Sequence, residues 1–388
     1  MVERSMRELR KFVAPEFVFG VDSRTLAGRY ASNFGAKKAL VVSDPGVVEA
    51  GWTDEVVRSL RDAGVETAVF AEVSANPRSA EVMQGAEEYR LHGCQAIVAV
   101  GGGSPMDCAK GIGVVVNNDG DIVEYEGVDR IAVPMPPLIC IPTTAGTSAD
   151  VSQFCIVLDE NRGVKIAIVS KSLVPDLSLI DPRTLTTKPS ELTAATAIDA
   201  LVHAIEAFSS NASWEITDLF AERAMVGVMQ WTERCLASPL DLEARTGCAL
   251  ASLEAGLAFS NASLGAVHAM AHALGGRLDL PHGECNALLL EHVLTFNLPA
   301  FATERRARLA TALGVAADRA AGADTEEIIG RLREFRLALG ITSSLGSIGV
   351  TRADIPGLAA TAMADACMVT NPRRPVRDDI EAIYEAAL

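Results

Sequence analysis

Along the first 180 or so residues, short apolar runs rich in β-branched side chains alternate with amphipathic stretches. The runs are KKALVVS (37–43), VETAVFA (65–71), QAIVAVG (95–101) and PLICIPT (137–143). Between them, TDEVVRSLRDAG (53–64) and SAEVMQGAEEYRLHG (79–93) space their apolar residues at the helical period. Apolar strands separated by such helices predict a parallel sheet covered on both faces. FCIVLDENRGVKIAIVS (154–170) places two strand-like runs around a polar turn and predicts a hairpin, and DLSLIDP (176–182) predicts one more strand. From about Thr186 the pattern changes. ELTAATAIDALVHAIEAFSS (191–210) and SLEAGLAFSNASLGAVHAMAHALGG (252–276) are alanine-rich with helical period, and strand signals stop. The pattern therefore predicts a Rossmann-like α/β domain over 1–185 and an all-helical domain over 186–388. The boundary falls near 183–188 with no flexible linker, which implies two closely packed domains with a cleft between them. A chain of 388 residues exceeds the size that one hydrophobic core usually serves, in keeping with two domains.

Composition narrows the class of function. Apolar residues make up 49% of the chain and aromatics 5%, so the cores are aliphatic. The net charge of −16 disfavours phosphate backbones and anionic membrane surfaces, and no basic tract offsets it. Nucleic acid and membrane are therefore not expected partners. The N-terminus, MVERSMRELRKF, lacks the apolar run of a signal peptide, and no stretch approaches a continuous apolar membrane span. The eight cysteines are widely spaced, without a CxxC pair, and read as thiols in a reducing compartment. A cytoplasmic protein is the expectation, and the sequons at Asn211 and Asn261 are then chance matches.

VAVGGGSPMDCAKGIG (98–113) is a strand running into a glycine turn and a helix. Glycines let backbone approach a ligand closely, Ser104 suits an N-cap and Pro105 the first helical position. The free N–H groups of such a helix start suit a pyrophosphate, although a strand-to-helix turn without a ligand has the same appearance. The spacing is not GxGxxG, and the acidic residue that could take ribose hydroxyls comes earlier, as Asp44 at the end of KKALVVS. The plainer reading of Asp44-Pro45-Gly46 is a turn. IPTTAGTSAD (141–150) and Asn76-Pro77 are polar turns after two other strands. Parallel strands bring such turns to one edge, so these loops are expected to line one crevice.

The second half holds the other candidate chemistry. Asp199 and His203 are four residues apart, about 40° around a helix, and so share a face. Their neighbours on it are apolar, and a buried carboxylate needs a hydrogen-bond partner or a cation. His268 and His272 repeat the spacing, and His282 follows a Gly-Gly break and Pro281 near the start of another helix. One carboxylate with several neutral imidazoles suits Zn²⁺ or Fe²⁺. Spacing alone does not choose four ligands from these five residues. His92 and His292 carry no assignment.

GGGSPMDCAK, IPTTAGTSAD, AIDALVHAIEAF, GAVHAMAHALGG and LPHGECNALLLEHV together resemble the signature segments of the iron-containing (group III) alcohol dehydrogenases. The resemblance runs from FVFG (17–20) to TNPRRPVRDDIEAIYEAAL at the C-terminus. It implies a dehydroquinate synthase-like architecture, with a dinucleotide-binding α/β domain, a helical metal-binding domain and an active site in the cleft. It implies one Fe²⁺, or Zn²⁺, on Asp199, His203, His268 and His282, and leaves His272 beside the metal as the candidate proton relay. It further implies NAD, with Gly102, Gly103, Ser104 and Asp107 around the pyrophosphate, Thr143, Thr144, Thr147 and Lys165 near the nicotinamide half, and Asn76 and Asp44 on the adenosine side. One departure stands out. Many members carry Gly-Ser-Glu after TTAGT, where this chain has Ser148-Ala149-Asp150.

The implied activity is NAD- and metal-dependent interconversion of a short primary alcohol or diol and its aldehyde, with a homodimer or larger homo-oligomer as the expected assembly. Two alternatives remain open. One is a polyol dehydrogenase of glycerol type on the same fold, and the other a regulatory protein that keeps the metal–NAD site as a detector.

Overall fold

The computed structural model describes residues 9–388. The opening segment MVERSMRE, part of the stretch expected to lack a leader, lies outside the described residues. By internal packing the chain forms two units, one over Val13–Lys188 and one that joins the N-terminal residues up to Phe12 with Pro189–Leu388.

The first unit is built on a six-stranded sheet. Its strands are β1 (Glu16–Phe19), β2 (Lys38–Val42), β3 (Glu66–Phe70), β4 (Ala96–Gly101), β6 (Leu138–Pro142) and β9 (Leu177–Ile180), in the order β1-β9-β6-β4-β2-β3, with every pairing parallel. Alternation along each strand explains why both faces are covered. Leu40, Val42, Ile97, Ala99, Leu138 and Cys140 enter one core. Ala39, Val41, Ala96, Val98, Ile139 and Ile141 enter the other. Helices α1 (Ala27–Asn33), α2 (Pro45–Glu49) and α3 (Trp52–Asp62) supply Ala31, Val47, Val56 and Leu60 to the second core. Helices α4 (Ser79–Leu91) and α5 (Gly103–Asn117) supply Val82, Ala86, Met106, Ala109 and Ile112 to the first. The strand order places the functional edge. The chain leaves β2 for β3 on one side, then crosses back to β4 and continues to β6 and β9 on the other. The connections therefore reverse between β2 and β4, the position where doubly wound sheets open a ligand crevice at their carboxyl ends.

The predicted hairpin is present as β7 (Phe154–Asp159) and β8 (Val164–Val169), antiparallel, with the short β5 (Gly127–Val128) parallel to β8. Two strands escaped the pattern reading: β1, only four residues long and half exposed, and the two-residue β5.

The second unit is helical. Its first helices are α6 (Ser190–Ser209), α7 (Glu215–Ala237), α8 (Leu242–Ala262), α9 (Ala266–Leu278) and α10 (His282–Asn297), and others follow to residue 387. Helix α6 is long and apolar enough to cross a membrane, yet 89% of its apolar window is buried within the protein. It is a core helix of the kind that is apolar nearly all round.

Two local expectations are corrected. The stretch 252–276 is not one helix: it breaks at Ser263, whose φ of 63° ends α8, and α9 starts at Ala266. The Gly275-Gly276 pair is no break either. Helix α9 runs through both glycines to Leu278 and ends on Asp279, at φ 53°.

Candidate metal centre and dinucleotide edge

Three helices of the second unit bring the titratable residues together. Helix α6 carries Asp199 and His203, 2% and 4% exposed, α9 carries the buried His268 and His272, and α10 begins with His282. The Asp199 Oδ1 oxygen lies 3.7 Å from Nε2 of both His268 and His282, and 4.0 Å from Nε2 of His203. Donors about 2.1 Å from a tetrahedrally bound Zn²⁺ stand about 3.4 Å apart, so these separations suit one ion. The Asn286 amide, one turn along α10 from His282, supplies a second mark of fit. Its Nδ2 points among the donor atoms, 2.7 Å from Asp199 Oδ1, 3.3 Å from His268 Nε2 and 3.2 Å from His282 Nε2. Its fully buried oxygen has no partner. A carboxylate oxygen and two imidazole nitrogens around one buried point are a donor set that a divalent cation accepts.

The electrostatics agree. Burial works to raise the Asp199 carboxyl, but the imidazoles of His203, His268 and His282 hold it well below the usual range. Burial disfavours a charged His268, yet its hydrogen bonds to Asp199 and Glu206 push it up to about 9.

His272 has a different surrounding. Its Nδ1 is 2.8 Å from Asp365 Oδ2, and Asp365 Oδ1 accepts the Cys367 backbone N–H at 2.8 Å. Burial opposes ionisation of Asp365, but His272 and the Cys367 N–H bring its pKa down to about 2. The His272 ring stacks on that of His282, with centroids 5.3 Å apart and planes at 16°. His92 pairs with Glu88 on the surface of α4 and has no place in this cluster.

In the first unit, the turns at the carboxyl edge pack on one another. A Cβ on Gly102 would stand 2.9 Å from Thr144 Cγ2, and one on Gly103 would stand 2.9 Å from Thr147 Cγ2. The glycines are therefore small because the 143–147 loop lies against them, and Thr143 N–H donates to the Gly101 carbonyl at 2.8 Å. The helix start differs from the expected one. Gly102, not Ser104, is the N-cap of α5, and the Ser104 hydroxyl instead donates to the Ala75 carbonyl. That bond ties the glycine turn to the loop holding Asn76, so three of the predicted loops adjoin. Asp44, at the end of β2, caps α2 by accepting the Val47 N–H at 3.0 Å, the plainer role considered for it. The cap uses one carboxylate oxygen. Burial pushes the Asp107 carboxyl up to about 7 against the pull of Lys110, the Ile156 N–H and Lys165, which places the Lys165 ammonium within electrostatic reach of α5. The departing triplet also has a structural role. Ser148 takes φ 49°, and buried Asp150 accepts the Ser178 hydroxyl of β9 at 2.7 Å, so its carboxylate is committed to the sheet.

The sequence reading missed three residues of the metal cluster: Glu206, Asn286 and Asp365. Glu206 was legible, since Asp199, His203 and Glu206 follow i, i+4, i+7 spacing on one face of α6. Asn286 stands four residues after His282. Asp365 lies 93 residues from His272 and carried no local signal.

A parallel α/β unit with a glycine turn at the carboxyl edge of its sheet, followed by a helical unit that gathers Asp199, His268 and His282, with His203 beside them, into a group that could hold a metal, fits one class: dehydrogenases that combine a dinucleotide with a metal. Comparison with known proteins places the chain within that class. The family described as iron-containing alcohol dehydrogenase matches residues 14–182, and the C-terminal region of the same family matches 193–388. A 1,3-propanediol dehydrogenase of Klebsiella pneumoniae is 39% identical over 375 residues, covering 95% of this chain and 96% of that protein. An NAD-dependent methanol dehydrogenase of Bacillus methanolicus is 37% identical over 378 residues, covering 97% and 99%. A crystal structure of a 1,3-propanediol oxidoreductase superimposes with a TM-score of 0.93 at 38% identity, covering 98% of this chain and all of that one. The chain belongs to the iron-containing alcohol dehydrogenase family.

Proposed function

We propose that the protein is an NAD- and metal-dependent oxidoreductase that interconverts a short-chain primary alcohol or diol with its aldehyde. The observation that carries this reading is the convergence of Asp199 Oδ1 with Nε2 of His203, His268 and His282, within 4.0 Å, at a point buried between three helices. Those four side chains would hold the ion, Fe²⁺ by family and Zn²⁺ by the same donor chemistry. A divalent ion there supplies Lewis acidity to a substrate oxygen, and NAD supplies the hydride acceptor.

The chain's own residues do the rest. Asp199 brings one negative charge, so a divalent ion on this set keeps a net positive charge. Asp365 accepts from Nδ1 of His272, which leaves His272 Nε2 as the nitrogen free to accept a proton from the substrate side. The ring's stacking on His282 fixes its plane and supports a role beside the ligands and not among them. For the dinucleotide, the reading assigns the pyrophosphate to the N-terminus of α5 at Gly102, Gly103 and Ser104, with Asp107 behind them on that helix. Asn76 and Asp44 take the adenosine side, and Thr143, Thr144, Thr147 and Lys165 the nicotinamide side. An acid at Asp44 favours NAD by repelling the 2′-phosphate of NADP. The named activities of the relatives support alcohols and diols as the substrate class. The wide spacing of the eight cysteines supports a reducing, cytoplasmic compartment, and light scattering on the purified protein tests the expected homodimer or larger homo-oligomer.

The test is turnover of a panel of primary alcohols, 1,3-diols and glycerol with NAD and NADP, before and after chelation. NAD-dependent oxidation of alcohols or diols that chelation abolishes and Fe²⁺ or Zn²⁺ restores is the expected result. Preference for glycerol would shift the reading to a polyol dehydrogenase. Cofactor binding without turnover on any substrate would support a detector instead.

A further inference from the structure

Glu206 is 4% exposed, and the ion-pair partner the structure gives it is an imidazole, His268. An isolated buried carboxylate costs several kcal/mol, so its surroundings have to offset that. Three donors do so. Oε1 accepts the Val267 N–H at 2.7 Å, and Oε2 lies 2.6 Å from His268 Nδ1 and 3.4 Å from the His268 backbone nitrogen. The first turn of α9 thus closes around one carboxylate, with the positive end of the helix dipole facing it. Asn371 braces the same turn from the other side. It accepts the Ala266 N–H at 3.1 Å and pairs with Asn297 through both amides, at 2.8 and 3.0 Å. Gly265 lies between the two braces: a Cβ there would stand 2.9 Å from both Glu206 Oε1 and Asn371 Oδ1.

We propose that Glu206 is the positioning residue of the metal centre: by accepting from Nδ1 of His268 it fixes the tautomer whose Nε2 lone pair faces Asp199, and Gly265 is kept bare to admit it. The inference rests on His268 being a metal ligand, as assigned above. The physical logic is that of a carboxylate behind a ligating histidine, which orients the ring and raises its basicity. A carboxylate can only accept, so Nδ1 carries a proton, and the neutral imidazole that binds a cation then presents Nε2 bare. An amide at the same place ends this compulsion. In a Glu206→Gln variant the side-chain amide can keep its oxygen on the Val267 N–H and turn its NH₂ towards Nδ1, which favours the opposite tautomer, with Nε2 protonated. The backbone brace then survives while the ligand is turned off. That separates positioning from a merely structural role.

The experiment uses the full chain stripped of metal, in four forms: wild type, Glu206→Gln, Gly265→Ala and His268→Ala. Zn²⁺ affinity is read by competition with a chromophoric chelator, the d–d spectrum of the Co²⁺ form reports ligand geometry, and circular dichroism of the metal-free proteins reports folding. The expected result is one Zn²⁺ per wild-type chain and a loss of about 10- to 100-fold in affinity for Glu206→Gln, the usual scale for such partners. Gly265→Ala should reproduce the loss by displacing the carboxylate without changing its identity. Both should alter the Co²⁺ bands while the metal-free dichroism stays that of wild type. Wild-type affinity and Co²⁺ spectrum in Glu206→Gln, with His268→Ala defective, would overturn the proposal and leave the ligand assignment standing. Wild-type affinity in His268→Ala would instead overturn the ligand assignment. If Glu206→Gln fails to fold, Gly265→Ala decides on the same two readouts.

Discussion

The dinucleotide assignment makes its sharpest prediction at Gly103. Replacing it by alanine adds one methyl group at a position where the Thr147 Cγ2, Oγ1 and Cβ atoms would stand 2.9, 3.0 and 3.1 Å away. Ordinary contacts between such atoms lie at roughly 3.5–4.0 Å, so the 143–147 loop must retreat by about half an ångström or more. Overpacking of this kind typically costs about 1–3 kcal/mol. Gly103 is the first residue of its helix, directly after the Gly102 N-cap, so the strain falls on the contact between the helix start and the loop. If that loop and the α5 N-terminus hold the dinucleotide, NAD affinity should weaken by roughly 5- to 100-fold, since about 1.4 kcal/mol corresponds to a factor of ten. The assay is calorimetric titration of NAD into Gly103→Ala and wild type, with Zn²⁺ affinity and melting temperature measured on the same samples. The reasoning requires a selective effect, with NAD binding weakened, Zn²⁺ binding unchanged and the melting temperature within a few degrees. Undiminished NAD affinity in a folded Gly103→Ala protein would refute the assignment of this edge.

Four further outcomes follow from particular contacts. Asp199→Asn removes the only anionic donor of the set and should abolish stoichiometric metal binding, as read by metal analysis after dialysis, while the fold persists. His272→Ala and Asp365→Asn should each lower kcat by roughly a hundredfold or more, the scale of general acid–base assistance, at undiminished metal content; kcat within twofold of wild type would remove His272 from the chemistry. The Asp107 carboxyl, raised to about 7 by burial, favours the native state in its protonated form. Its contribution to stability is therefore complete below about pH 4 and lost as pH rises through 7. Melting curves of Asp107→Asn should accordingly fall less than those of wild type between pH 4 and 8. Buried Lys110 donates to the Ser152 and Phe154 carbonyls at 2.9 and 2.8 Å, so Lys110→Met should lose about 1–3 kcal/mol for each carbonyl stranded, measured by urea unfolding.

The elements that were legible in the sequence are those that are buried along nearly their whole length. Strands β2, β4 and β6 are buried on both faces and read as unbroken apolar runs, and α6 reads as one long alanine-rich apolar segment because nearly every side of it beyond its first turn meets protein. Strand β1 was not legible, because four half-exposed residues carry too little pattern, and its place comes from pairing with β9, far along the chain. The break between α8 and α9 was hidden by composition. SNASLGAV continues the alanine-rich periodicity, while the turn itself is set by Ser263 and by Glu206 and Asn371 closing on the next helix. At the metal cluster, spacing found Asp199 with His203 and His268 with His272, but it did not choose among them. The i, i+4 relation puts them on one face, and only the tertiary partners, Asp199 and Glu206 for one and Asp365 for the other, divide their surroundings. The Ser104 cap failed for a local reason: with Gly102 extended, the helix opens earlier and the hydroxyl is drawn to the Ala75 carbonyl.

The central claim is that Asp199, His203, His268 and His282 hold one divalent ion on which NAD-dependent alcohol oxidation depends. The direct measurement is metal content together with NAD reduction by the alcohol or diol that the substrate panel selects, on protein purified without oxygen, then chelated, then reloaded with Fe²⁺ or Zn²⁺. The account predicts one ion per chain, activity lost with the ion and regained with it, and neither in His268→Ala. Full turnover in the chelated protein, or a full complement of metal in His268→Ala, would contradict it.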